Sequence, residues 1–576
     1  MIKGLYVLTF FGVALFNINA VHSSIRPITS RTILDCLQQD EGELDVDMNN
    51  IEADKYEDVQ QHFFQQHLDH FASSSDANRG QDIFEQRFFY TDRYVQEAES
   101  SPVYSFLCVG GEGPSMDKSV LVDSAHCSGD MVELAKKLYN EENASVHMFA
   151  LEHRYYGESY PHLPNEIHGS AVANRNLQYL SSRQAIRDIS LFVSSISVEN
   201  HDLLRDSFHF LPLLRNQHAA KGINENSEES VKWVTFGGSY PGMVAAWSRL
   251  LHPSLIHASV SNSAPVQAQL DFEGYNDVVA SDLSYEAIGG SKECRSIVED
   301  GHAMLGEALS SSSSNEQYRE SISDMFNVCG GAKSLEKKKN VDTFIGTGVI
   351  YIPSQSNDPS CKGKLCNIED LCSALLEEPT QSPMERLAYV SKLQRGDQCV
   401  STDWELSMMA LKSPIARIGG LRSWLWQTCN EFGFYQTCNV GSQCPYARGY
   451  HTVDQDLALC EYAFGISAEQ VQENIESTLK YYGGWDLVDD RIFFINGDVD
   501  PWSALSVTTE TAPDAVSQNL FPIMWVRGAS HHFWTHAVKD DDSEEMVQSR
   551  EVIYEQVSAW LKEKGIYSGV DRTSVA

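Results

Sequence analysis

One serine, two acids and three histidines carry the reactive chemistry legible in this chain. Ser239 lies in Val231-Lys-Trp-Val-Thr-Phe-Gly-Gly-Ser-Tyr-Pro-Gly-Met-Val-Ala-Ala-Trp247. Asp498 and Asp500 lie in Arg491-Ile-Phe-Phe-Ile-Asn-Gly-Asp-Val-Asp-Pro-Trp502, and His531, His532 and His536 fall in or just after Gly528-Ala-Ser-His-His-Phe533. A serine hydroxyl is a poor nucleophile until an imidazole accepts its proton, and a carboxylate holds that imidazole in the right tautomer. Serine, acid, histidine is also the chain order of α/β hydrolases. The chemistry this points to is acyl transfer.

The elements needed to position these groups can be read around each of them. Val231 to Phe236 is an apolar, β-branched run, expected to be a buried strand. Gly237-Gly238 permits a sharp turn, and Met243 to Leu251 reads as a helix whose positive end faces the serine. Strand, turn and helix make a nucleophile elbow, although a strict G-x-S-x-G has glycine at 241, where this chain has Pro241 and then Gly242. Taken alone, the stretch fits an inert glycine turn equally well. The runs 491–497 and 520–526 read as strands that deliver the acids and the histidines to the same rim. Either acid of the turn can face the site, and His532 and His536 compete with His531 for the role of base. Val103 to Val109 is a further buried strand, running into Gly110-Gly-Glu-Gly-Pro114. No phosphate-loop lysine follows it, so an oxyanion loop is expected, with the Gly111 N–H joining that of Tyr240, and a plain turn is the alternative. Val146 to Glu152 is another strand, and the polar cluster His153-Arg-Tyr-Tyr-Gly-Glu-Ser159 after it either borders the site or serves structural hydrogen bonds.

With 576 residues and 42% apolar content the chain can bury a large core in more than one domain. Met1 to Ala20 reads as a secretory signal, and no later stretch is long and apolar enough to span a membrane. Residues 21–58 read as a flexible, acidic leader or propeptide. The formal charge of −37 excludes nonspecific nucleic-acid binding. Of 13 cysteines, 10 fall between the elbow and the Asp500 strand, an arrangement that suits disulfides in an oxidising compartment. Zinc binding by Cys361, Cys366 and Cys372 is disfavoured for want of paired C-x-x-C spacing, and no metal or cofactor is expected. Asn143-Ala-Ser145 is a glycosylation acceptor. The histidines near Gln60 to Phe71 read as a wet, aromatic edge strand rather than ligands.

Strands alternating with helices, such as Ser182 to Val193, imply a doubly wound, mostly parallel sheet in the α/β class. Residues 59–270 and 489–576 form its two parts, closed by an amphipathic helix at 547–564. Residues 201–230 look like a surface insertion. Residues 271–488 read as a mostly helical, disulfide-rich cap. The oligomeric state, homodimer included, is left open.

The stretches Glu152 to Ser159, Phe236 to Gly242, Ser263-Ala-Pro265, Asn496 to Trp502 and Ser530-His-His532 together resemble the serine exopeptidases that include lysosomal prolyl carboxypeptidase, dipeptidyl peptidase II and thymus-specific serine peptidase. Gln427 to Cys438 is similar to the thymus-specific branch. The resemblance implies Ser239 as nucleophile, Asp500 as orienting acid and His531 as base. It also implies short peptide substrates, often with proline beside the scissile bond, and Trp502 at the substrate site. Glu431 is a candidate to receive a substrate amine, but exopeptidase polarity is open. Phe533-Trp534 departs from the Leu-Asp or Cys-Leu-Asp that often continues the family's histidine segment, and puts the local substrate contacts in question. An esterase with the same triad and a catalytically silent peptide-binding homologue are the alternatives.

Overall fold

Apolar runs such as Val103–Val109 and Ser145–Leu151 are satisfied only where both faces of a strand are covered. The computed structural model describes residues 53–563 apart from 73–81, 97–100, 162–171, 197–230, 311–314, 359–364, 378–380, 413–419, 488, 513 and 515–520, and it puts these runs in the interior of one sheet. The described strands are β1 (Gln60–His67), β2 (Ile83–Tyr94), β3 (Val103–Val109), β4 (Ser145–Leu151), β5 (Lys232–Gly238), β6 (Ile256–Asn262), β7 (Gln269–Asp271), β8 (Gly433–Tyr435), β9 (Ile492–Gly497) and β10 (Ile523–Val526). Eight of them form the main sheet in the order β1-β2-β4-β3-β5-β6-β9-β10. The pairs β1–β2 and β2–β4 are antiparallel, and every other pair in this sheet is parallel. This is an α/β-hydrolase sheet, with the elbow strand β5 at its centre.

Alternation along each strand divides the core. Leu107 and Val109 pack on one face with Ile186, Ile189 and Met243, whereas Phe106 and Cys108 pack on the other with Leu134, Val557 and Trp560. The first face is covered by helices α2 (Ser182–Ser195) and α3 (Tyr240–Leu251), the second by α1 (Glu133–Glu142) and by the closing helix (Glu544–Lys562). Helices on both faces explain why the central strands show no polar alternation. The edge strand β1 does alternate, and it holds His62 and His67. His70, just beyond it, bonds Asp188 at 2.7 Å.

Between β6 and β9 the chain is mostly helical, beginning with α4 (Glu273–Asp282) and continuing to Ala468–Tyr482. It also contains the short parallel pair β7–β8, which sequence patterning does not reveal. Four disulfides between described residues staple it: Cys294–Cys372, Cys329–Cys399, Cys429–Cys460 and Cys438–Cys444. Cys366 is also disulfide-bonded. A fifth described bridge, Cys108–Cys127, ties the end of β3 to the turn ahead of α1.

The folded part starts earlier than the leader assignment of 21–58 expected. Residues Ala53–Tyr56 form a helical turn, and Asp58 accepts from Thr91 Oγ1 at 2.9 Å and Arg93 Nε at 2.7 Å. The signal at 1–20, the insertion at 201–230, Cys36 and Cys361 lie outside the described residues. No described helix is long and apolar enough to cross a membrane.

Candidate active site

Ser239 links β5 to α3 with φ 64° and ψ −134°, a backbone conformation that L-residues adopt only under constraint. Its neighbours explain the constraint. A Cβ on Gly237 would stand 2.4 Å from Pro241 O, and one on Gly238 would stand 2.8 Å from the His532 ring. A Cβ on Gly242 would stand 2.8 Å from Asn262 O. The glycine displaced from 241 to 242 is therefore the one that lets α3 lie against β6, which accounts for the departure from the strict elbow pattern.

The acid turn after β9 separates the two carboxylates. Asp500 is fully buried, and both of its oxygens lie 2.9 Å from His531 Nδ1. It also caps the following turn by accepting from Trp502 N at 3.0 Å. Asp498 is spent elsewhere, accepting from Gly528 N at 2.6 Å and Tyr285 Oη at 3.2 Å. Its carboxyl is raised by burial against those bonds. The geometry thus separates the rival acids, because only Asp500 meets an imidazole.

The histidines separate too. With Nδ1 on Asp500, His531 presents Nε2, which is buried and has no hydrogen-bond partner among the described residues, Ser239 Oγ included. Catalytic hydrogen bonds are often long in an unliganded site and tighten when substrate arrives. His532 packs its ring between His531 and the elbow, 4.6 Å from the His531 ring, and its Nδ1 meets Thr535 Oγ1 at 3.1 Å. Burial, then the neighbouring His531, His126 and His536, hold His532 well below the usual histidine range. A neutral ring filling space against Gly238 is a packing role. His536 stacks on Phe533 at 4.3 Å, one shell further out.

The oxyanion candidates meet directly. A Cβ on Gly111 would overlap Pro241 Cγ at 2.2 Å, so the backbone of the glycine loop rests on the elbow. The Gly111 N–H has no hydrogen-bond partner among the described residues, and the first-turn N–H of Tyr240 has no intrahelical acceptor. Trp502 packs with its ring 6.3 Å from that of His531, and its Nε1 donates to Gln355 Oε1 at 3.1 Å. Asn143 is exposed at the end of α1.

Glu431, the candidate amine receptor, meets the protein's own donors. It is buried, and its two oxygens accept from Ser182 N at 3.0 and 2.9 Å and from Ser182 Oγ at 2.6 Å. It serves the first residue of α2, meeting both donors of Ser182. Burial raises its carboxyl to about 7. The cluster after β4 is resolved as well. Glu152 and Arg154 turn inward, to Arg87 at 2.6 Å and to Asp188 at 2.7 and 2.6 Å. His153 reaches the elbow, with Nε2 2.9 Å from Tyr240 Oη.

Two supporting residues escaped the sequence reading. Asn262, at the end of β6, accepts from Ser239 N at 2.9 Å through its carbonyl. Its side chain donates to Gly237 O at 3.1 Å and Asp130 at 2.8 Å, and accepts from Trp534 Nε1 at 2.7 Å. Ser263 Oγ accepts from His532 N at 2.9 Å, while the Ser263 N–H meets Ile495 O at 2.7 Å. One dipeptide therefore joins the elbow, the acid strand and the histidine segment. The motif at Ser263-Ala-Pro265 was the available signal.

Human thymus-specific serine protease is 31% identical over 492 residues, covering 83% of each chain. Bovine lysosomal Pro-X carboxypeptidase is 24% identical over 523 residues, covering 87% of this chain and 88% of its own. A probable extracellular serine carboxypeptidase of Arthroderma benhamiae is 21% identical over 522 residues, covering 82% of this chain and 63% of its own. The family model described as serine carboxypeptidase S28 matches residues 66–209 and 214–553, and the chain belongs to that family of serine peptidases.

Proposed function

We propose that the protein is an exopeptidase of short peptides, cutting beside proline, through Ser239, Asp500 and His531. The observation that carries this reading is the Asp500–His531 pair at 2.9 Å, which leaves a buried Nε2 with no hydrogen-bond partner among the described residues. His531 takes the Ser239 proton as Oγ attacks the scissile carbonyl, and Asp500 stabilises the imidazolium. The tetrahedral oxyanion is received by the N–H groups of Gly111 and Tyr240. His531 then protonates the leaving amine, and water, deprotonated by the same imidazole, releases the acyl group from Ser239. Trp502 buttresses the imidazole and borders the substrate.

The names of the lysosomal and extracellular relatives, with the signal read at Met1 to Ala20, support a place in the secretory pathway and glycosylation at Asn143. A fluorophosphonate probe tests the core of the reading. It should label the purified protein and fail to label Ser239→Ala. A library of dipeptide and Pro-X substrates should then be cleaved. Labelling that persists in Ser239→Ala, or ester turnover without peptide cleavage, would overturn the proposal.

A further inference from the structure

The departure at Phe533-Trp534 turns inward. Trp534 is fully buried, three residues beyond His531, and its Nε1 donates to Asn262 Oδ1 at 2.7 Å. The other end of the same amide donates to Gly237 O at 3.1 Å, two residues before Ser239, and to Asp130 Oδ2 at 2.8 Å. One planar group therefore spans the gap between the elbow and the histidine segment. Its partners decide which way it faces. Burial raises the Asp130 carboxyl to about 6, so at neutral pH its oxygens can only accept, whereas an indole N–H can only donate. The NH2 end must face Asp130 and the carbonyl end must face Trp534. Reversal would set donor against donor at Trp534, and oxygen against oxygen at Asp130 and Gly237. Asp130 is itself fixed, since it is fully buried and its Oδ1 accepts from Met131 N at 2.7 Å. Its neighbour Gly129 lies against the histidine segment, where an added Cβ would stand 2.2 Å from Trp534 O and 2.4 Å from His536 O. The closing helix holds the same carbonyls, with Arg550 Nε donating to Trp534 O at 2.8 Å and Arg550 Nη2 to His536 O at 3.2 Å.

We propose that Asp130 and Trp534 are positioning residues for the acyl transfer, holding the Asn262 amide in the one orientation that fixes the spacing of the elbow serine and His531; this rests on the Ser239 reading above. No bond or proton of the reaction passes through either residue, so both act through Asn262. Ser239 stands at φ 64°, a conformation that its surroundings must impose. Asn262 grips the bend on both sides of Gly238, by its side chain at Gly237 O and by its carbonyl at Ser239 N, 2.9 Å away. Releasing either end of the amide leaves Ser239, Asp500 and His531 present but lets the elbow and the histidine segment drift apart. A drift of ~1 Å at a reacting centre costs about 10²-fold in rate. The peptide is bound by other surfaces, so the loss falls on kcat. A network that served the fold alone would lower stability without that bias.

The test compares variants of the full-length protein at neutral pH. Trp534→Phe keeps an aromatic ring and removes the donor to Asn262, and Asp130→Ala removes the acceptor. Each should lower kcat by about 10- to 100-fold, the range of misplacements up to ~1 Å, with KM nearly unchanged and fluorophosphonate labelling slowed by the same factor. Combined, they should lower kcat little beyond the larger single loss, because both act on one amide. Tyr554→Phe is the control. Tyr554 Oη donates to Gly129 O, next to Asp130, and bonds no part of the amide, so this variant should melt earlier and keep its kcat. Where Asp130→Ala does not fold, Trp534→Phe against Tyr554→Phe decides alone. A folded Trp534→Phe protein with wild-type kcat, single losses that multiply in the double variant, or an equal loss of kcat in Tyr554→Phe would overturn the inference and leave the Ser239 reading standing. Labelling that persists in Ser239→Ala would overturn both.

Discussion

Alanine at position 111 tests the oxyanion assignment with the smallest chemical change. The added Cβ would lie 2.2 Å from Pro241 Cγ and 2.5 Å from Pro241 Cδ, whereas carbon contacts are comfortable only near ~3.5 Å. Something must therefore withdraw by about 1 Å. Pro241 is poorly placed to do so, because its carbonyl lies 2.4 Å from the Cβ position of Gly237 and the next residue already abuts Asn262 O. The loop after β3 yields instead, and the Gly111 N–H leaves with it. A misplacement of ~1 Å at a reacting centre costs about 10²-fold in rate. Complete loss of one oxyanion donor costs about 10²–10³-fold, or roughly 2.7–4 kcal/mol. Gly111→Ala should accordingly lower kcat by about 10²–10³-fold and leave KM nearly unchanged, since the donor acts on the charged intermediate more than on the bound peptide. Peptide turnover and the rate of fluorophosphonate labelling measure this, and a thermal melt of the same sample measures the fold. Gly465→Ala is the control. Gly465 has φ +74° and no atom near its Cβ position, so alanine there should cost about 1–2 kcal/mol of stability and no catalysis. Wild-type turnover by a well-folded Gly111→Ala protein would refute the assignment.

Other consequences follow from the same geometry. Asp500→Asn should lower kcat by about 10⁴-fold by presenting the wrong tautomer of His531. Asp498→Asn should cost far less, and equal losses from the two variants would contradict the separation of the acids. Asn262→Ala strands Asp130 and Trp534 Nε1, two buried partners, and should destabilise by about 2–6 kcal/mol in a denaturant titration. Asn262→Asp should be most stable at acidic pH, because Asp130, already raised by burial to about 6, then keeps the proton the new pair must share. A pH-independent melt would contradict that. Glu431 rises from the ordinary 4.5 to about 7 in the fold. The folded state then holds a proton that the unfolded chain has released, so stability falls as pH climbs from 4.5 to 7, by about 3 kcal/mol. Glu431→Gln should abolish that loss, and a melting difference from wild type that stays constant between pH 5 and 7.5 would refute it.

The parts of the site legible in the sequence are those whose signal is local. Ser239, Asp500 and His531 each follow a strand, and an apolar run stopped by glycine or a polar turn marks a strand end without any tertiary information. Gly111 was legible for the same reason. Glu431 was legible as a carboxylate of the insertion, and only the fold shows that it bonds Ser182. Asn262 and Ser263 were invisible as working residues. Their effect passes through hydrogen bonds to several separate segments, some of them more than two hundred residues away, and no periodicity encodes that. The strands β7 and β8 are three residues long, too short to establish any period. Disulfide pairing was equally closed to the sequence, since ten cysteines in one insertion admit many connectivities.

The helical insertion also holds Tyr240, the residue of the proposed oxyanion hole, and the protons around its hydroxyl show how. His153 Nδ1 lies 2.7 Å from Arg154 O, a carbonyl that can only accept, so Nδ1 carries the proton. Burial holds the ring at about 4, neutral at milder pH, so Nε2 is an acceptor and the Tyr240 hydroxyl donates to it at 2.9 Å. That hydroxyl still has lone pairs, and Gln427 Nε2 donates to one at 2.9 Å. The Gln427 carbonyl in turn accepts from Tyr156 Oη at 2.7 Å. Each donor in this chain has one acceptor, and no member can reverse without stranding a buried polar group. Gln427 belongs to the insertion, at the end of Leu421–Gln427, whereas His153, Tyr156 and Tyr240 belong to the sheet's own loops and helix. The side chain of the oxyanion residue is thus held from both halves of the protein. Gln427→Leu, which keeps the bulk and removes both bonds, should lower kcat with little change in melting cooperativity, whereas a change in substrate selectivity alone would mean that the insertion only covers the site.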